Sequence, residues 1–145
     1  MRIFTASTLP RMIVIDYNVS MARKPHKLSA LAPERIYWGA DVPMREIRRF
    51  ARAVAERFDP ETIILFGSHG YGKPHPDSDV DILVVMSARN KHSQACKIRA
   101  AVSAPFPMDL LVRTPEEMSR RLSDGDLFHT EIVSKGKILY EKCDT

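Results

Sequence analysis

The chain has 145 residues, of which 44% are hydrophobic and 28% are charged, as in ordinary soluble globular proteins. This length predicts one domain with a hydrophobic core. No apolar run approaches the ~20 residues that span a bilayer, and Arg11 and Asp16 interrupt any leader-like segment. The two cysteines, Cys96 and Cys143, lack the spacing of a metal site and the number of a disulfide framework. We therefore expect a cytoplasmic protein with no membrane contact.

The net charge of +4 is unevenly distributed along the chain. Residues 1–60 contain eleven Lys and Arg against six Asp and Glu, a balance of +5, whereas residues 61–145 contain eleven against twelve, a balance of −1. A basic N-terminal part is typical of a solvated surface, and it is also compatible with an RNA or acidic partner. Charge alone does not decide between these interpretations.

Residues 1–40 are interpreted as a partly flexible N-terminal extension, and residues 41–145 as the folded domain. Pro10, Pro25 and Pro33 interrupt the extension, and a short apolar run at residues 12–15 is its candidate strand. Met21 begins a segment that resembles a second protein start. We therefore expect residues 1–20 to be dispensable for folding.

An amphipathic helix is predicted to begin after Asp41, a suitable N-cap, and to end at Asp59, because proline follows it. Its apolar positions recur at intervals of three and four residues: Met44, Ile47, Ala51, Val54, Ala55 and Phe58. Four arginines fall mostly on the opposite side of the helix: Arg45, Arg48, Arg49 and Arg52. They are typical of a solvated helix surface, with an acidic or RNA partner as the alternative.

Apolar runs predict strands at residues 62–66, 79–86 and 108–113, with a helix at 90–102 before the third strand. A capping box at Thr114–Glu117 begins another helix. One more helix is expected to bury four apolar residues: Leu127, Phe128, Ile132 and Val133. Gly136 is expected to end it in the left-handed conformation, before an edge strand at 137–140. This order predicts a mixed α/β (α+β) fold, a small mixed sheet with helices packed on it.

Three acidic residues occupy positions where apolar strands would be expected to stay apolar. Asp79 and Asp81, at i and i+2, lie on one face of the second predicted strand, roughly 6–7 Å apart. Asp109 begins the third strand and joins them if these strands are neighbours. Carboxylates gathered in this way repel one another unless a cation neutralises them, and Mg²⁺ prefers oxygen ligands. The sequence therefore predicts a metal site at these three residues.

A glycine-rich loop links the first two strands and has the features of a phosphate-binding segment. Gly67 and Ser68 directly follow the first strand, where backbone N–H groups and a hydroxyl can bind phosphate. Gly72 keeps the loop slim, and Lys73 can reach a phosphate. Beside paired carboxylates, such a loop favours two-metal attack on the α-phosphate of a nucleoside triphosphate, with release of pyrophosphate. Asp109 would then help to remove the proton of the incoming hydroxyl.

The ten-residue gap between Gly67-Ser68 and Asp79-x-Asp81 resembles the signature of the DNA polymerase β-like nucleotidyltransferase superfamily. Asp109 is similar to the third acid of that superfamily. The ending at residues 136–141, Gly-Lys-Ile-Leu-Tyr-Glu, resembles its minimal nucleotidyltransferase (MNT) branch. Many relatives read Gly-Ser-x-Ala-Arg-Gly, and Tyr71 departs from that pattern by replacing the arginine.

The resemblance covers about residues 41–141 and implies the DNA polymerase β-like nucleotidyltransferase fold. It also implies Mg²⁺-dependent transfer of AMP from ATP to a hydroxyl, with two metal ions. Lys73 is expected to compensate for the arginine that Tyr71 replaces. Relatives of this size are commonly antitoxins of two-gene modules with a helical HEPN ribonuclease toxin, and some add AMP to a toxin tyrosine. A HEPN-type partner that supplies the acceptor is therefore expected.

Two alternatives to this function stay open at the level of sequence. One is a non-catalytic antitoxin that neutralises its toxin by binding, and the other is a transferase acting on a small molecule or RNA. A homo-oligomer and a hetero-oligomer are both compatible with the sequence.

Overall fold

A computed structural model describes residues 35–143. Most of the predicted N-terminal extension, including its candidate strand at residues 12–15, lies outside the described residues. The described elements, in chain order, are α1 (Met44–Phe58), β1 (Thr62–Phe66), α2 (Gly67–Gly70), β2 (Val80–Val85), α3 (Lys91–Ala101), β3 (Met108–Arg113), α4 (Pro115–Ser123), α5 (Leu127–Lys135) and β4 (Lys137–Glu141). The predicted mixed α/β fold is confirmed.

The four strands form one sheet in the order β3-β2-β1-β4. β1 is antiparallel to both β2 and β4, and β2 is parallel to β3. The parallel pair requires a crossover connection, which α3 provides. In the sheet of the described residues, β4 is an edge strand, as predicted, and β3 forms the other edge.

One face of the sheet, called the α1 face here, carries the larger hydrophobic core. Even-numbered residues of β2, such as Ile82 and Val84, pack there with Ile47 and Val54 of α1 and Ile98 of α3. All five side chains are fully buried. A strand alternates the direction of its side chains, so the odd-numbered residues of β2 point to the other face.

The opposite face, called the α5 face here, is covered by α4 and α5 over a smaller core. Leu83 and Val85 of β2 pack there with Ile64 of β1, Met118 of α4 and Ile132 of α5. The side chains of Asp81 and Asp109 also point to this face, because both residues are odd-numbered on β2 and β3. The α5 face therefore holds both a hydrophobic core and the predicted site.

A network of ion pairs joins α4 to the end of β3 and to α3. Glu117 is only 8% exposed, and it accepts hydrogen bonds from Lys91 and from Arg121, with Arg113 3.6 Å away. Arg121 continues the network to Asp126, the N-cap of α5. Burial alone would raise the pKa of Glu117, but the hydrogen bonds from Lys91 and Arg121 outweigh it and lower the pKa. The network fixes α4 and the start of α5 over the sheet.

The predicted capping box at Thr114 is confirmed on its N-cap side, since Thr114 accepts a hydrogen bond from the backbone N–H of Glu117 at 3.1 Å. The predicted N-cap at Asp41 is wrong. Pro43 precedes the first residue of α1, and Asp41 belongs to a 3₁₀ turn at Gly39–Asp41. Gly39 sets that turn with φ of 51°, and a Cβ there would lie 2.0 Å from the carbonyl oxygen of Pro76.

Two predictions about α5 are wrong. Gly136 has φ of −70°, so it ends the helix in an extended conformation; a Cβ there would lie 2.5 Å from the Ile132 carbonyl oxygen. Its small size, and not a left-handed backbone, is what the position requires. Ile132 is fully buried as predicted, but Leu127 is 84% exposed and Val133 is 49% exposed. The buried side of α5 contains His129 and Ile132. Leu127 and Val133 lie outside this side and are therefore exposed.

In the part of the chain that the structure describes, no helix is both long and apolar enough to cross a membrane.

Candidate active site

The site is built where β1 ends and β2 and β3 begin. Asp81 on β2 pairs in register with Phe66, the last residue of antiparallel β1, and with Asp109 on parallel β3. Neighbouring strands are about 4.8 Å apart, and paired residues share a face of the sheet. The strand register therefore brings Asp81 and Asp109 side by side, as the sequence predicted if the two strands were neighbours.

Burial and the charges of neighbouring carboxylates both disfavour ionisation of Asp81. Burial, and then the charges of Asp109 and Asp79, raise the pKa of Asp81 from 3.8 to about 6. A raised carboxyl pKa is common at functional sites, because buried carboxylates and neighbouring like charges serve binding or catalysis there and do not stabilise the fold. A cation placed between the carboxylates would relieve this repulsion.

Asp79 lies at the margin of this arrangement. It precedes β2, which begins at Val80, so the predicted start of the strand at Asp79 is one residue early. Its side chain is exposed, whereas that of Asp81 is half-buried. Asp79 nevertheless lies close enough to Asp81 for its charge to contribute to the raised pKa.

Gly67 determines how closely the loop approaches the acids. It follows β1 directly and begins α2 with φ of 66°, a backbone conformation that favours glycine. A Cβ at this position would lie 2.0 Å from Oδ2 of Asp81. The absence of a side chain at Gly67 is therefore what lets the Asp81 carboxylate occupy its place beside the turn.

The other predicted loop residues, Ser68, Gly72 and Lys73, do not line the pocket that contains Gly67, Asp81 and Asp109. Ser68 accepts, through its carbonyl oxygen, a hydrogen bond from the backbone N–H of Lys73 at 2.8 Å, which closes the loop. Gly72 is exposed and has φ of 82°, with no neighbouring atom within 4 Å of an added Cβ. Lys73 is exposed. Of the predicted site residues, only Gly67, Asp81 and Asp109 line the same pocket.

The pocket at the acids has a volume of about 470 Å³. Besides Gly67 and the two acids, its lining includes residues that the sequence interpretation did not assign to the site: Phe66, Tyr71, Leu111, Phe128 and Glu131. Phe128 was expected in the core, but it is 49% exposed and stands edge-on to Phe66, with ring centroids 5.8 Å apart. The spacing of Phe128 and Glu131 indicates a shared side of α5, but nothing in the sequence places that side over the acids.

Tyr71, the departure from the family pattern, also belongs to this pocket. Burial, and then the nearby charge of Glu131, raise its pKa despite a hydrogen bond at the Gly67 backbone that lowers it. Nζ of Lys135 stands 6.0 Å from the centre of the Tyr71 ring and forms an ion pair with Glu131 at 3.2 Å. A cation therefore stands beside Tyr71, and it comes from α5, whereas Lys73 had been expected to compensate.

The two histidines of the loop support its shape. His69 is 6% exposed, and its Nε2 atom has no hydrogen-bond partner among the described residues. Burial lowers the pKa of His69, which favours the neutral ring. His75 lies in the turn that ends at Ser78, where its backbone N–H donates to the Ser78 hydroxyl at 2.8 Å. Neither histidine lines the pocket at the acids.

The donor set of the site fits a hard divalent cation such as Mg²⁺. Among the described residues, no three His, Cys, Asp or Glu side chains form a group that could hold a metal ion by themselves. Mg²⁺, however, usually takes one or two carboxylates and completes its shell with water and substrate phosphates. Asp81 and Asp109 offer oxygen ligands of this kind, and the repulsion between them favours a cation.

Comparisons with known proteins identify the class. A family model described as a nucleotidyltransferase domain matches residues 47–140, well over half of the chain, so the chain belongs to that family. Among solved structures, it is similar to a Sulfolobus solfataricus protein described as a candidate nucleotidyltransferase. The two share 17% sequence identity with a TM-score of 0.48, over 68% of this chain and 80% of that chain. No curated protein matches the chain.

The matched range contains Gly67, both pocket acids and Asp79. The predicted resemblance to nucleotidyltransferases is thus confirmed at the level of the family. Assignment to the MNT branch stays a prediction.

Proposed function

We propose that the chain transfers AMP from ATP to a hydroxyl group in a Mg²⁺-dependent reaction that releases pyrophosphate. The observation that carries this proposal is the register pairing of Asp81 with Asp109, directly beside the Gly67 turn. Membership of the nucleotidyltransferase domain family supports nucleotidyl transfer as the reaction class. The choice of ATP as donor comes from the resemblance to MNT proteins.

Each residue of the site has a role in this proposal. Asp81 and Asp109 would hold Mg²⁺ together with water and the phosphates of the substrate, and the exposed Asp79 would contribute an additional carboxylate nearby. A second ion would use the same acids. When bound, Mg²⁺ neutralises phosphate charge and stabilises the attacking and leaving oxygens. The loop at Gly67, with Ser68, lies against the triphosphate. Asp109 accepts the proton of the acceptor hydroxyl as its oxygen bonds to the α-phosphorus and the bond to pyrophosphate breaks.

We further propose that the acceptor is a tyrosine of a HEPN-type toxin, which would make the chain its antitoxin. Beside the acids, the lining of the pocket is apolar and aromatic, with Phe66, Leu111 and the half-exposed Phe128. Such a lining suits a planar aromatic side chain that carries a hydroxyl, because aromatic rings pack edge-on against one another, as Phe66 and Phe128 do. The proposal is specific enough to be tested with one partner protein.

The test is transfer of label from α-³²P-ATP to a purified helical protein of the HEPN type. We expect Mg²⁺-dependent labelling of a tyrosine, reduced by at least about 1,000-fold in Asp81→Asn and in Asp109→Asn. Asp77→Asn is the matched control, since Asp77 is an exposed acid of the same loop that does not line the pocket. It should label the partner at the wild-type rate.

Three outcomes would contradict the proposal in different ways. Stable binding of the partner without labelling would favour a non-catalytic antitoxin. Labelling of RNA or of a small molecule, but not of the protein, would keep nucleotidyl transfer and change the acceptor. Equal labelling by Asp81→Asn and wild type would exclude this pocket as the site of transfer.

A further inference from the structure

A second groove lies on the α1 face of the sheet, away from the acids. It has a volume of about 400 Å³ and runs between the outer side of α1 and edge strand β4. Its lining consists of Arg48, Arg52, Ala55, Glu56, Leu139 and Tyr140. None of these residues lines the pocket at the acids. Nucleotidyl transfer gives this groove no role.

The two arginines of the groove differ from Arg45 and Arg49 of the same helix. Arg45 and Arg49 both pair with Glu46, at 3.6 and 3.2 Å, and are thereby engaged within the domain. Within residues 35–143, no carboxylate oxygen lies within 4 Å of Arg48 or Arg52. These two residues are four apart, so they stand one above the other on one side of the helix. The groove thus presents two adjacent cations that form no ion pair within residues 35–143, and one carboxylate, Glu56, lines it beside them.

One side of the groove is formed by β4, which is an edge strand of the sheet in the part of the chain that the structure describes. β4 pairs with β1 on one side, and no strand among the described residues pairs with its other side. An open edge presents backbone N–H and C=O groups that can pair with an extended segment of another chain. Leu139 and Tyr140 are half-buried in the groove, which gives such a segment apolar surface as well.

We propose that this groove binds an extended, acidic segment of a partner protein. The segment adds a strand to the free edge of β4 and places carboxylates against Arg48 and Arg52. This proposal rests on the open edge and the charge of the groove, and it does not depend on nucleotidyl transfer.

The charge of the groove disfavours two other occupants. Pairing of β4 with β4 of a second copy would bring the arginine-bearing sides of two α1 helices towards each other, and like charges at close range repel. An RNA strand could use the arginines, but it would leave the backbone groups of β4 without partners. An acidic polypeptide can satisfy both the arginines and the strand edge.

The test is fluorescence anisotropy with the full chain and a labelled peptide of alternating Glu and Val. We expect saturable binding that weakens as salt is raised, because exposed charge pairs are screened. A peptide of alternating Lys and Val should bind at least about tenfold more weakly. The same acidic peptide with N-methylated backbone amides should also lose binding, because it cannot pair with a strand edge.

The variant Arg48→Glu/Arg52→Glu should weaken binding of the acidic peptide by at least about tenfold. Lys97→Glu/Arg120→Glu is the matched control, because it makes the same change in net charge at two exposed residues outside the groove. It should bind within about twofold of wild type. Circular dichroism of both variants checks that the fold is retained.

Several results would overturn the proposal. They are absence of binding by the acidic peptide, equal weakening in the control variant, and full binding by the N-methylated peptide. Tighter binding of a labelled oligouridine that is lost in Arg48→Glu/Arg52→Glu would assign the groove to RNA. Sedimentation could instead show a dimer that the acidic peptide does not dissociate. If Arg48→Glu/Arg52→Glu changes the amount of that dimer, the groove would be assigned to a second copy of the chain.

Discussion

The two faces of the sheet are covered to different extents, and the difference separates stability from chemistry. Within residues 35–143, sixteen buried hydrophobic residues form the core of the α1 face, whereas six form that of the α5 face. On β2, Ile82 points to the first face and Asp81 and Leu83 to the second. The α1 face therefore supplies most of the hydrophobic stabilisation, and the α5 face leaves room for a pocket at the acids.

The comparison also shows how a fold of this size accommodates carboxylates that destabilise it. Asp81 is half-buried beside another carboxylate, and its raised pKa reports an energetic cost to the charged form. The larger core on the other side of the same strand offsets that cost. β2 thus carries a charged residue where the site lies and apolar residues where the strand packs in the core.

The largest effect is expected from Gly67→Ala, which would place a methyl group 2.0 Å from Oδ2 of Asp81 at a backbone φ of 66°. Displacement of Asp81 should reduce nucleotidyl transfer by about 1,000-fold. Gly72→Ala tests the effect of backbone strain without a steric clash, because Gly72 also has a positive φ but no atom within 4 Å of an added Cβ. It should cost about 1 kcal/mol in stability and leave transfer within about tenfold of wild type. Equal losses in both variants would contradict the role given to Gly67.

Ile82→Ala and Leu83→Ala compare the two faces on one strand. Both side chains are fully buried, so each truncation should lower the free energy of unfolding by about 3 kcal/mol in urea denaturation. Only Leu83 lies on the face that carries the acids, so Leu83→Ala should also lower kcat, by about tenfold. If Ile82→Ala lowers kcat as much, the two faces are not separate in function.

Glu117→Gln tests the network that holds α4 over the α5 face. Loss of the carboxylate leaves Lys91, Arg113 and Arg121 without their shared partner and should cost about 2 kcal/mol at neutral pH. The folded-state pKa of Glu117 is lowered, so its contribution is present above its ordinary pKa of 4.5 and is lost as the pH falls through the folded-state value. Thermal unfolding of both proteins at several pH values checks that the difference shrinks in acid. Glu116→Gln, at an exposed neighbour, should show a difference below about 0.5 kcal/mol throughout.

The smallest effect concerns the protonation of Asp81. In the metal-free protein, carbon-13 NMR should show its carboxyl titrating with a pKa of about 6. The folded-state pKa is raised, so the ionised carboxyl costs stability, a cost that is absent at low pH and complete above about pH 6. Asp109→Asn removes one repelling charge and should lower this pKa, whereas Asp77→Asn should not. An unchanged value in Asp109→Asn would show that the charge of Asp109 does not contribute to the raised pKa.

The elements of the fold were largely predictable from sequence, because their periodicity and turn residues are local. The strands at residues 62–66 and 108–113 were predicted with the bounds that the structure has. Gly136 was misjudged since glycine marks both left-handed ends and close packing, and only the neighbouring Ile64 shows which applies. The exposure of Leu127 was not predictable, because it depends on how much of α5 the sheet can cover.

The pairing of acids was predictable on one condition, that β2 and β3 are neighbours. The remaining pocket was not, since Phe128 and Glu131 reach it only through the packing of α5 on the sheet. No local pattern encodes that placement. The role of Lys73 in phosphate binding is still a prediction, and its exposed position outside the pocket gives it no support.

The most direct test of the account is calorimetric titration of the protein with the non-hydrolysable analogue α,β-methylene-ATP, with and without Mg²⁺. The account predicts binding that requires Mg²⁺, and that is weakened by at least about 30-fold in Asp81→Asn/Asp109→Asn but not in Asp77→Asn. Equal affinity of the double variant and the wild-type protein for the Mg²⁺ complex would contradict it.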